Sequence, residues 1–538
     1  MRTVYRYMNK DFFRKIGEYV IRNREVILLI LIIVAAVLPF AINLLHYPYF
    51  EYDEGTYMAE AWAVATKGAL SHYTYWYDHA PIGWIFIAIW THFTGGFFSF
   101  GIPENSGRVF MLVLHVCIAL LVYGIGKRLS KNSIVGAVAA LIFCFSPLGI
   151  YFERRVLLDN IMTFWLMLAL FFIVKEQPKL RHIGASAVSF ALAILTKENA
   201  IFAFFGLCYG VVVHTSRHIR RFAVSTWMII SGSICSLYVL YALIKNEFFP
   251  AKHGEHVSLI STLKFQASRG NGLPFWNIGS DFYQNFSEWI LRDRYIVYLG
   301  LLALVISTFL AIRHKALRAL TLITIFSFLF VMRGGLVINF YIIPFIPLFA
   351  LHIALVLWYA ISAMLKSYRV RSIAIGLLGG VIIFLLVTLP SFADLYKTNE
   401  TNTQIGAVQW AKDNLPADTE IIIDGHAFVA MHDVYYNEKK FVNADWFLKV
   451  KEDPEVRELK LHNDWKQIDY IMLSHGMAWQ LKYADHALVS EALTHSVPIQ
   501  VFSNTVGQEA WTNPEQFAID HADSVIILKV IHNDVATE

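Results

Sequence analysis

The chain has 538 residues, of which 57% are hydrophobic and only 16% are charged, and its formal net charge is +4. A water-soluble fold cannot bury so large an apolar fraction, so the composition excludes an ordinary soluble enzyme and indicates a polytopic α-helical membrane protein. The small net charge gives no basis for a nucleic-acid partner.

Apolar runs near the roughly 20 residues needed to cross a bilayer recur from residues 26–45 to residues 373–389. They predict about 11–13 transmembrane helices within residues 1–390. Basic residues precede the first run, which places the N-terminus in the cytoplasm of a plasma-membrane protein. The run at 81–98 is short, and a full crossing there would place Asp159 on the cytoplasmic side. We therefore expect a broken or partly inserted helix there.

Three polar segments interrupt or follow the membrane body. An outer loop with juxtamembrane helices is expected at 46–80, and a structured outer insertion at 245–294. Residues 391–538 change to soluble composition and predict a separate extracytoplasmic α/β domain, with a helix at 403–414 and strands at 420–424, 469–473 and 524–530. No glycine-rich nucleotide turn follows those strands.

Two adjacent carboxylates, Asp53 and Glu54, follow the first membrane helix, with Tyr57 close behind. A carboxylate beside an apolar pocket has its pKa raised toward values useful to a general base. Acidic residues are also common in the first turn of a helix, so capping is the alternative interpretation.

A second cluster contains Tyr77, Asp78 and His79 in front of a short apolar helix. Aromatic rings stack on sugars, and the titratable groups can exchange hydrogen bonds with hydroxyls. An interfacial aromatic belt explains the rings equally well.

A third cluster places Arg154, Arg155 and Asp159 on the expected outer side, where paired arginines need an anionic partner. The phosphate of a lipid-borne substrate is one such partner, and a structural ion pair with Glu153 or Asp159 is the other. Lys197, in a further outer turn, poses the same choice.

Two later sites complete the candidates. Arg333 and Tyr341 are expected near the outer face and could contact the same anion as the paired arginines. The trio at positions 253, 255 and 256 (His253, Glu255, His256) offers three ligands for a divalent metal, although solvated loop histidines are the alternative.

In order and spacing, these motifs resemble the GT-C glycosyltransferases that use polyprenyl-phosphate sugars, and above all the protein O-mannosyltransferase family. That family carries an acidic pair after its first helix, matched by Asp53 and Glu54. It also carries a His-Pro-Pro segment, matched in part by His79, Ala80 and Pro81.

An Arg-x-x-Leu-Leu-Asp segment of the same family is matched by Arg154 or Arg155 through Asp159. The bacterial aminoarabinose transferases have a similar plan but place lysine where His79 stands. Ala80 departs from the mannosyltransferase pattern, and the β-trefoil insertion of the eukaryotic enzymes is absent, which puts mannose and a protein acceptor in doubt.

The resemblance implies a hexosyl- or pentosyltransferase that moves a sugar from a polyprenyl-phosphate carrier to an acceptor hydroxyl at the outer face, with inversion. Asp53 would be the general base, with Glu54 orienting it or the acceptor. The donor phosphate or sugar would be held by these residues: His79, Arg154, Arg155, Asp159, Lys197, Arg333 and Tyr341. Tyr57, Tyr77 and Asp78 would contact the acceptor or the sugar.

The implied partners are the lipid-linked donor, membrane lipids, and an acceptor that is a glycan, a lipid or a protein. No cofactor is certain, and a divalent metal stays open. A secondary transporter and a non-catalytic lipid-binding scaffold are the rival interpretations, because both also hold charged residues among many helices.

Overall fold

A computed structural model describes most of the chain. The described residues are 23–70, 79–250, 258–269, 272–364, 393–416, 418–433, 443–483, 486–505 and 507–532.

The membrane body is built from helices with short connections. Its helices are α1 (Arg24–Ala41), α2 (Tyr52–Lys67), α3 (Ile82–Phe93), α4 (Pro103–Ser130), α5 (Ser133–Cys144), α6 (Pro147–Glu153), α7 (Leu158–Ile173), α8 (Leu180–Ile194), α9 (Phe204–His214), α10 (Arg220–Ile244), α11 (Leu259–Ser268), α12 (Asp281–Arg313), α13 (Arg318–Val331) and α14 (Phe345–Met364). Short 3-10 helices lie at Glu198–Ala203, Lys315–Leu317 and Asn339–Ile342.

Five helices in the described part of the chain are long and apolar enough to cross a membrane: α1, α4, α10, α12 and the stretch Asn339–Ser362 that contains most of α14. Helices α5 and α6 would make a sixth span, bent by 62°. Four shorter apolar helices complete the bundle, so the polytopic helical body is confirmed. The apolar run at 373–389 lies outside the described residues.

The short apolar run at 81–98 forms only the 12-residue helix α3. That helix is about 18 Å long, well short of a bilayer core of about 30 Å. It ends at Gly95 and Gly96, whose φ angles of 92° and 112° turn the chain out of the helix.

The soluble domain has a five-stranded sheet in the order β2-β1-β3-β5-β4. Its strands are β1 (Ile421–Ile423), β2 (Ala444–Trp446), β3 (Tyr470–Ser474), β4 (Ser496–Phe502) and β5 (Val525–Val530). Strand β1 pairs in parallel with β2 and β3, whereas β5 pairs antiparallel with β3 and β4.

Helix α15 (Asp394–Lys397) packs on α6 of the membrane body. The helices that contact the sheet are α16 (Thr401–Asn414), α17 (Gly425–Phe428), α18 (Phe447–Glu452), α19 (His475–Tyr483), α20 (Ala487–Thr494), α21 (Glu509–Thr512) and α22 (Pro514–Asp520). The expected α/β layer is therefore present, and the three predicted strands lie within one residue of β1, β3 and β5.

The soluble domain is fastened to the loop between α1 and α2. Gln404 both donates to the carbonyl of Phe50 (3.1 Å) and accepts from its amide (2.7 Å), in the manner of a paired strand. Farther on, the backbones of Gly55 and Gly425 touch, because a Cβ atom on Gly55 would lie 1.9 Å from the Gly425 oxygen. The domain thus packs directly on the helix that carries Asp53.

Candidate active site

The acidic pair lies in the first turn of α2, as its capping box dictates. Glu51 is the N-cap, and its side chain accepts from the N3 backbone while the Glu54 side chain accepts from the Glu51 amide. Asp53 is half-buried, and its Oδ2 atom lies 3.5 Å from the Tyr57 hydroxyl one turn along the helix. Two neighbouring carboxylates therefore point in different directions from one helical turn.

Glu54 is fully buried and its carboxylate oxygens are saturated. Arg108 donates to both oxygens, at 3.0 and 2.8 Å, and the Val156 amide donates to Oε2 at 3.0 Å. Because these donors and the Glu51 amide use both oxygens, Glu54 is held in place as a structural brace. It fixes the start of α2 against α4 and against the turn that follows Arg155.

Asp159 and Lys197 form a buried ion pair with an Oδ2 to Nζ distance of 2.6 Å. The Lys197 ammonium also lies 4.9 Å from the ring centroids of both Phe340 and Tyr341. Asp159 is its strongest charged neighbour, and Asp53 also acts on it electrostatically. Asp53, Asp159 and Lys197 therefore belong to one polar cluster. We call these three residues and Tyr341 the Lys197 cluster.

His79 lies beside this cluster. Its Nδ1 atom is 2.9 Å from Oε2 of Glu198, the residue after Lys197, and its ring is 6.3 Å from that of Tyr57. The Ala80 amide donates to the other oxygen of Glu198 at 2.8 Å. The second sequence motif is thereby tied to the Lys197 turn.

Two further cations surround Tyr341. Lys197, Arg269 and Arg333 all act electrostatically on its phenol. Arg333 is exposed and lies over the Phe330 ring at 3.8 Å, whereas Arg269 also reaches Tyr52, next to Asp53. Sequence reasoning missed Arg269, since no motif marks it within the outer insertion.

The backbone brings these two arginines together. The Leu336 amide donates to the Arg269 carbonyl at 3.1 Å, so the Arg333 loop and the end of α11 run side by side. Gly334 permits this approach, because its φ is +78° and a Cβ there would lie 2.9 Å from the Leu273 carbonyl oxygen.

Arg154 has a different environment. It is fully buried, and its guanidinium donates to backbone carbonyls of Pro39, Phe40 and Ile42 at the C-terminal end of α1, and of Tyr47. It also donates to the Leu395 carbonyl at 2.8 Å. A cation that satisfies the orphaned carbonyls at a helix C-terminus is a structural cap, so the geometry does not bring Arg154 to the Lys197 cluster.

Arg155 lies on the Glu51 side of α2. It donates to the Tyr151 hydroxyl at 3.0 Å and approaches Glu51 at 3.5 Å, with its guanidinium over the Tyr49 ring at 4.8 Å. Burial raises the pKa of the Glu51 carboxyl despite the opposing effect of Arg155. Arg155 thus joins a second polar cluster next to the first, rather than contacting Asp159.

Two predicted contact residues and the metal trio need a separate statement. Tyr77, Asp78, His253, Glu255 and His256 lie outside the described residues. Within the described part of the chain, no group of three or more His, Cys, Asp or Glu residues could hold a metal ion.

An apolar cleft adjoins the Lys197 cluster. The cleft is small, with a volume of about 20 Å³, and Tyr341 lines it together with mainly apolar residues that include Met162, Leu166, Phe330 and Phe345. Polar and apolar surfaces thus meet at Tyr341.

Comparison with known proteins agrees with this architecture. The profile of the dolichyl-phosphate-mannose-protein mannosyltransferase family matches residues 78–247, about a third of the chain. No curated protein sequence matches the chain.

Solved structures resemble it over most of its length. ArnT from Cupriavidus metallidurans, bound to undecaprenyl phosphate, superposes with a TM-score of 0.57 at 13% identity and covers 96% of this chain and 99% of its own. The oligosaccharyltransferase from Archaeoglobus fulgidus superposes with a TM-score of 0.56 at 11% identity, covering 90% of this chain and 74% of its own. The same archaeal enzyme, AglB, with an inhibitory peptide and a dolichol-phosphate gives a TM-score of 0.53.

The fold is of the GT-C type, as in these similar membrane enzymes. Within that class, the chain shares its complete layout, membrane body plus soluble domain, with the ArnT structure.

Proposed function

We propose that the chain is a membrane glycosyltransferase that moves a sugar from a polyprenyl-phosphate carrier to an acceptor hydroxyl. The contacts that link Asp53 through Tyr57 and His79 to Glu198, next to the buried Lys197–Asp159 pair, are the observation that carries the proposal. A base, a cation and an apolar cleft then lie together, as such a transfer requires.

The donor phosphate binds between Lys197 and Tyr341, with Arg269 and Arg333 on its outer side. Negative charge grows on the departing phosphate as the glycosidic bond breaks, and fixed cations stabilise that charge. Tyr341 faces these cations and also lines the cleft, so the isoprenoid tail leaves the phosphate along Phe330 and Phe345. The undecaprenyl phosphate and the dolichol-phosphate named with the similar structures support a carrier of this class.

Asp53 takes the proton of the acceptor hydroxyl as that oxygen attacks the anomeric carbon. The phosphate leaves from the opposite face, so the anomeric configuration inverts. Tyr57 and His79 lie on the same side of α2 and contact the sugar. Glu54 and Arg154 act by holding the backbone around this site, as their saturated hydrogen bonds indicate.

Expression of Asp53→Asn in a deletion strain tests the proposal. The substitution keeps the shape of the side chain and removes its basicity, so we expect transfer to fall by about 10²–10⁴-fold. Mass spectrometry of envelope glycans and lipids should find the sugar missing in this strain and restored by the wild-type gene. Asp413→Asn, the same change at an exposed residue of α16, is the matched control and should restore it.

A binding assay with polyprenyl phosphate distinguishes the loss of a catalytic base from misfolding of the variant. Purified Asp53→Asn should bind this lipid as the wild type does, because its contacts lie at Lys197 and Tyr341. Restoration of the sugar by Asp53→Asn would reject Asp53 as the base.

A further inference from the structure

Helix α19 of the soluble domain begins at the outer loop that leads into α2. Its first residue, His475, packs edge-on against Tyr49 with ring centroids 5.6 Å apart. A Cβ on the next residue, Gly476, would lie 4.0 Å from the ring of Tyr52, the neighbour of Asp53. The start of this helix therefore lies against the first turn of α2, beside the residue that precedes Asp53.

One face of α19 carries a row of aromatic rings away from that point. His475, Trp479 and Tyr483 are spaced by four residues, so they lie on the same side of the helix. The rings of Trp479 and Tyr483 are 4.7 Å apart and tilted by 32°, so they stack partly on each other and form one aromatic unit, which we call the Trp479–Tyr483 platform. The nine-residue helix carries this row over about 13 Å.

This platform is open to solvent and bordered by polar groups. Trp479 is 45% exposed and Tyr483 is 65% exposed, which is unusual for two adjacent large rings. Lys482 stands beside them and donates to the Gln516 side chain at 2.9 Å. An apolar protein partner would need a wider hydrophobic patch, whereas ring faces with neighbouring amide and ammonium groups suit the flat, hydroxyl-rich faces of a sugar.

We propose that the Trp479–Tyr483 platform binds sugar units of an oligosaccharide acceptor whose reacting end lies at Asp53. The row Tyr49, His475, Trp479 and Tyr483 leads from the reaction site along the soluble domain. This inference rests on the proposed function, and it narrows the acceptor to a glycan chain and gives the soluble domain a role in holding it.

A printed array of cell-envelope oligosaccharides, probed with the detergent-purified full chain, tests the platform directly. We expect the wild type to bind a subset of the oligosaccharides, and Trp479→Ala and Tyr483→Ala each to reduce that binding by at least about tenfold, since an aromatic face is lost. Trp511→Ala removes a similarly exposed ring, 49% exposed on α21, and should bind as the wild type does. Absence of oligosaccharide binding by the wild type, or an equal loss in all three variants, would overturn the inference.

Two further measurements distinguish the alternatives. The first uses nanodiscs with brominated lipids, which quench tryptophans that contact the bilayer. The fluorescence of Trp479 is obtained as the difference between the wild type and Trp479→Ala. Quenching of this fluorescence would show that the platform contacts lipid, and it would also overturn the inference. Asp53→Asn should bind the array like the wild type. If Asp53→Asn retains transfer activity while array binding depends on Trp479, the proposed base fails and the glycan platform stands.

Discussion

Removal of the Lys197 ammonium should separate a structural ion pair from a functional cation. Lys197→Met leaves the Asp159 carboxylate buried, and Oδ1 of that carboxylate already has no hydrogen-bond partner among the described residues. Losing one member of a buried pair costs about 3–5 kcal/mol, because the other charge is left without compensation. We therefore expect Lys197→Met to lower the melting temperature as well as the activity.

The double variant Lys197→Met, Asp159→Asn removes both charges of the 2.6 Å pair and should recover most of that lost stability. Its activity should stay about 10²–10³-fold below the wild type, since a missing donor to a developing anion costs about 2.7–4 kcal/mol in the transition state. The assays are thermal unfolding in detergent and the rate of sugar transfer. Full activity in the stable double variant would refute the assignment of Lys197 to the phosphate.

Two other predictions concern the soluble domain. Gly55→Ala should force α2 and α17 apart, because its Cβ would lie 1.9 Å from the Gly425 oxygen, and should cost about 1–3 kcal/mol in thermal unfolding. Gly232→Ala in α10 has no atom within 4 Å and should be neutral, and equal melting temperatures for the two variants would contradict the contact. Burial, with the adjacent Asp445 carboxylate, raises the pKa of Glu420 to about 10. The folded state thus holds this proton more tightly than the unfolded state, so the free energy of unfolding should fall as the pH rises from about 5 to about 9, by at most about 1.4 kcal/mol per pH unit. Glu420→Gln should remove most of this pH dependence, and parallel curves of stability against pH for variant and wild type would contradict it.

Much of the fold could be predicted because hydrophobicity dominates it. The apolar runs and the change of composition near residue 391 are read directly from the sequence, and the strands β1, β3 and β5 are runs of Ile, Val, Leu and Met bounded by polar residues. Strand β2 is only three residues long, and β4 contains Pro498, so neither has a periodic signal that stands out locally.

The candidate site was harder to predict because tertiary contacts decide which partner each charged side chain has. The sequence singled out Asp159 and Lys197 separately, but their ion pair joins residues 38 positions apart. Arg154 and Arg155 are adjacent and identical in chemistry, and yet one caps α1 through carbonyls while the other stacks on Tyr49 and Tyr151. The positive-inside rule marks arginines expected outside the cytoplasm as unusual, but it does not say which anion or carbonyl pairs with them.

Arg269 shows the opposite limitation. It lies in the 245–294 insertion without a motif, and its backbone pairs with the loop after Gly334, which brings its charge close enough to act on the phenols of Tyr52 and Tyr341. A long-range backbone contact of this kind leaves no pattern in a single sequence, so the residue is visible only in three dimensions.

A cryo-EM structure of the full chain with polyprenyl phosphate tests the central claim most directly. The account predicts phosphate density between Lys197 and Tyr341, with the first isoprene units along Phe330 and with Asp53 facing the same space. Density for the phosphate at the opposite end of the membrane helices, or beside Arg154 at the end of α1, would contradict it.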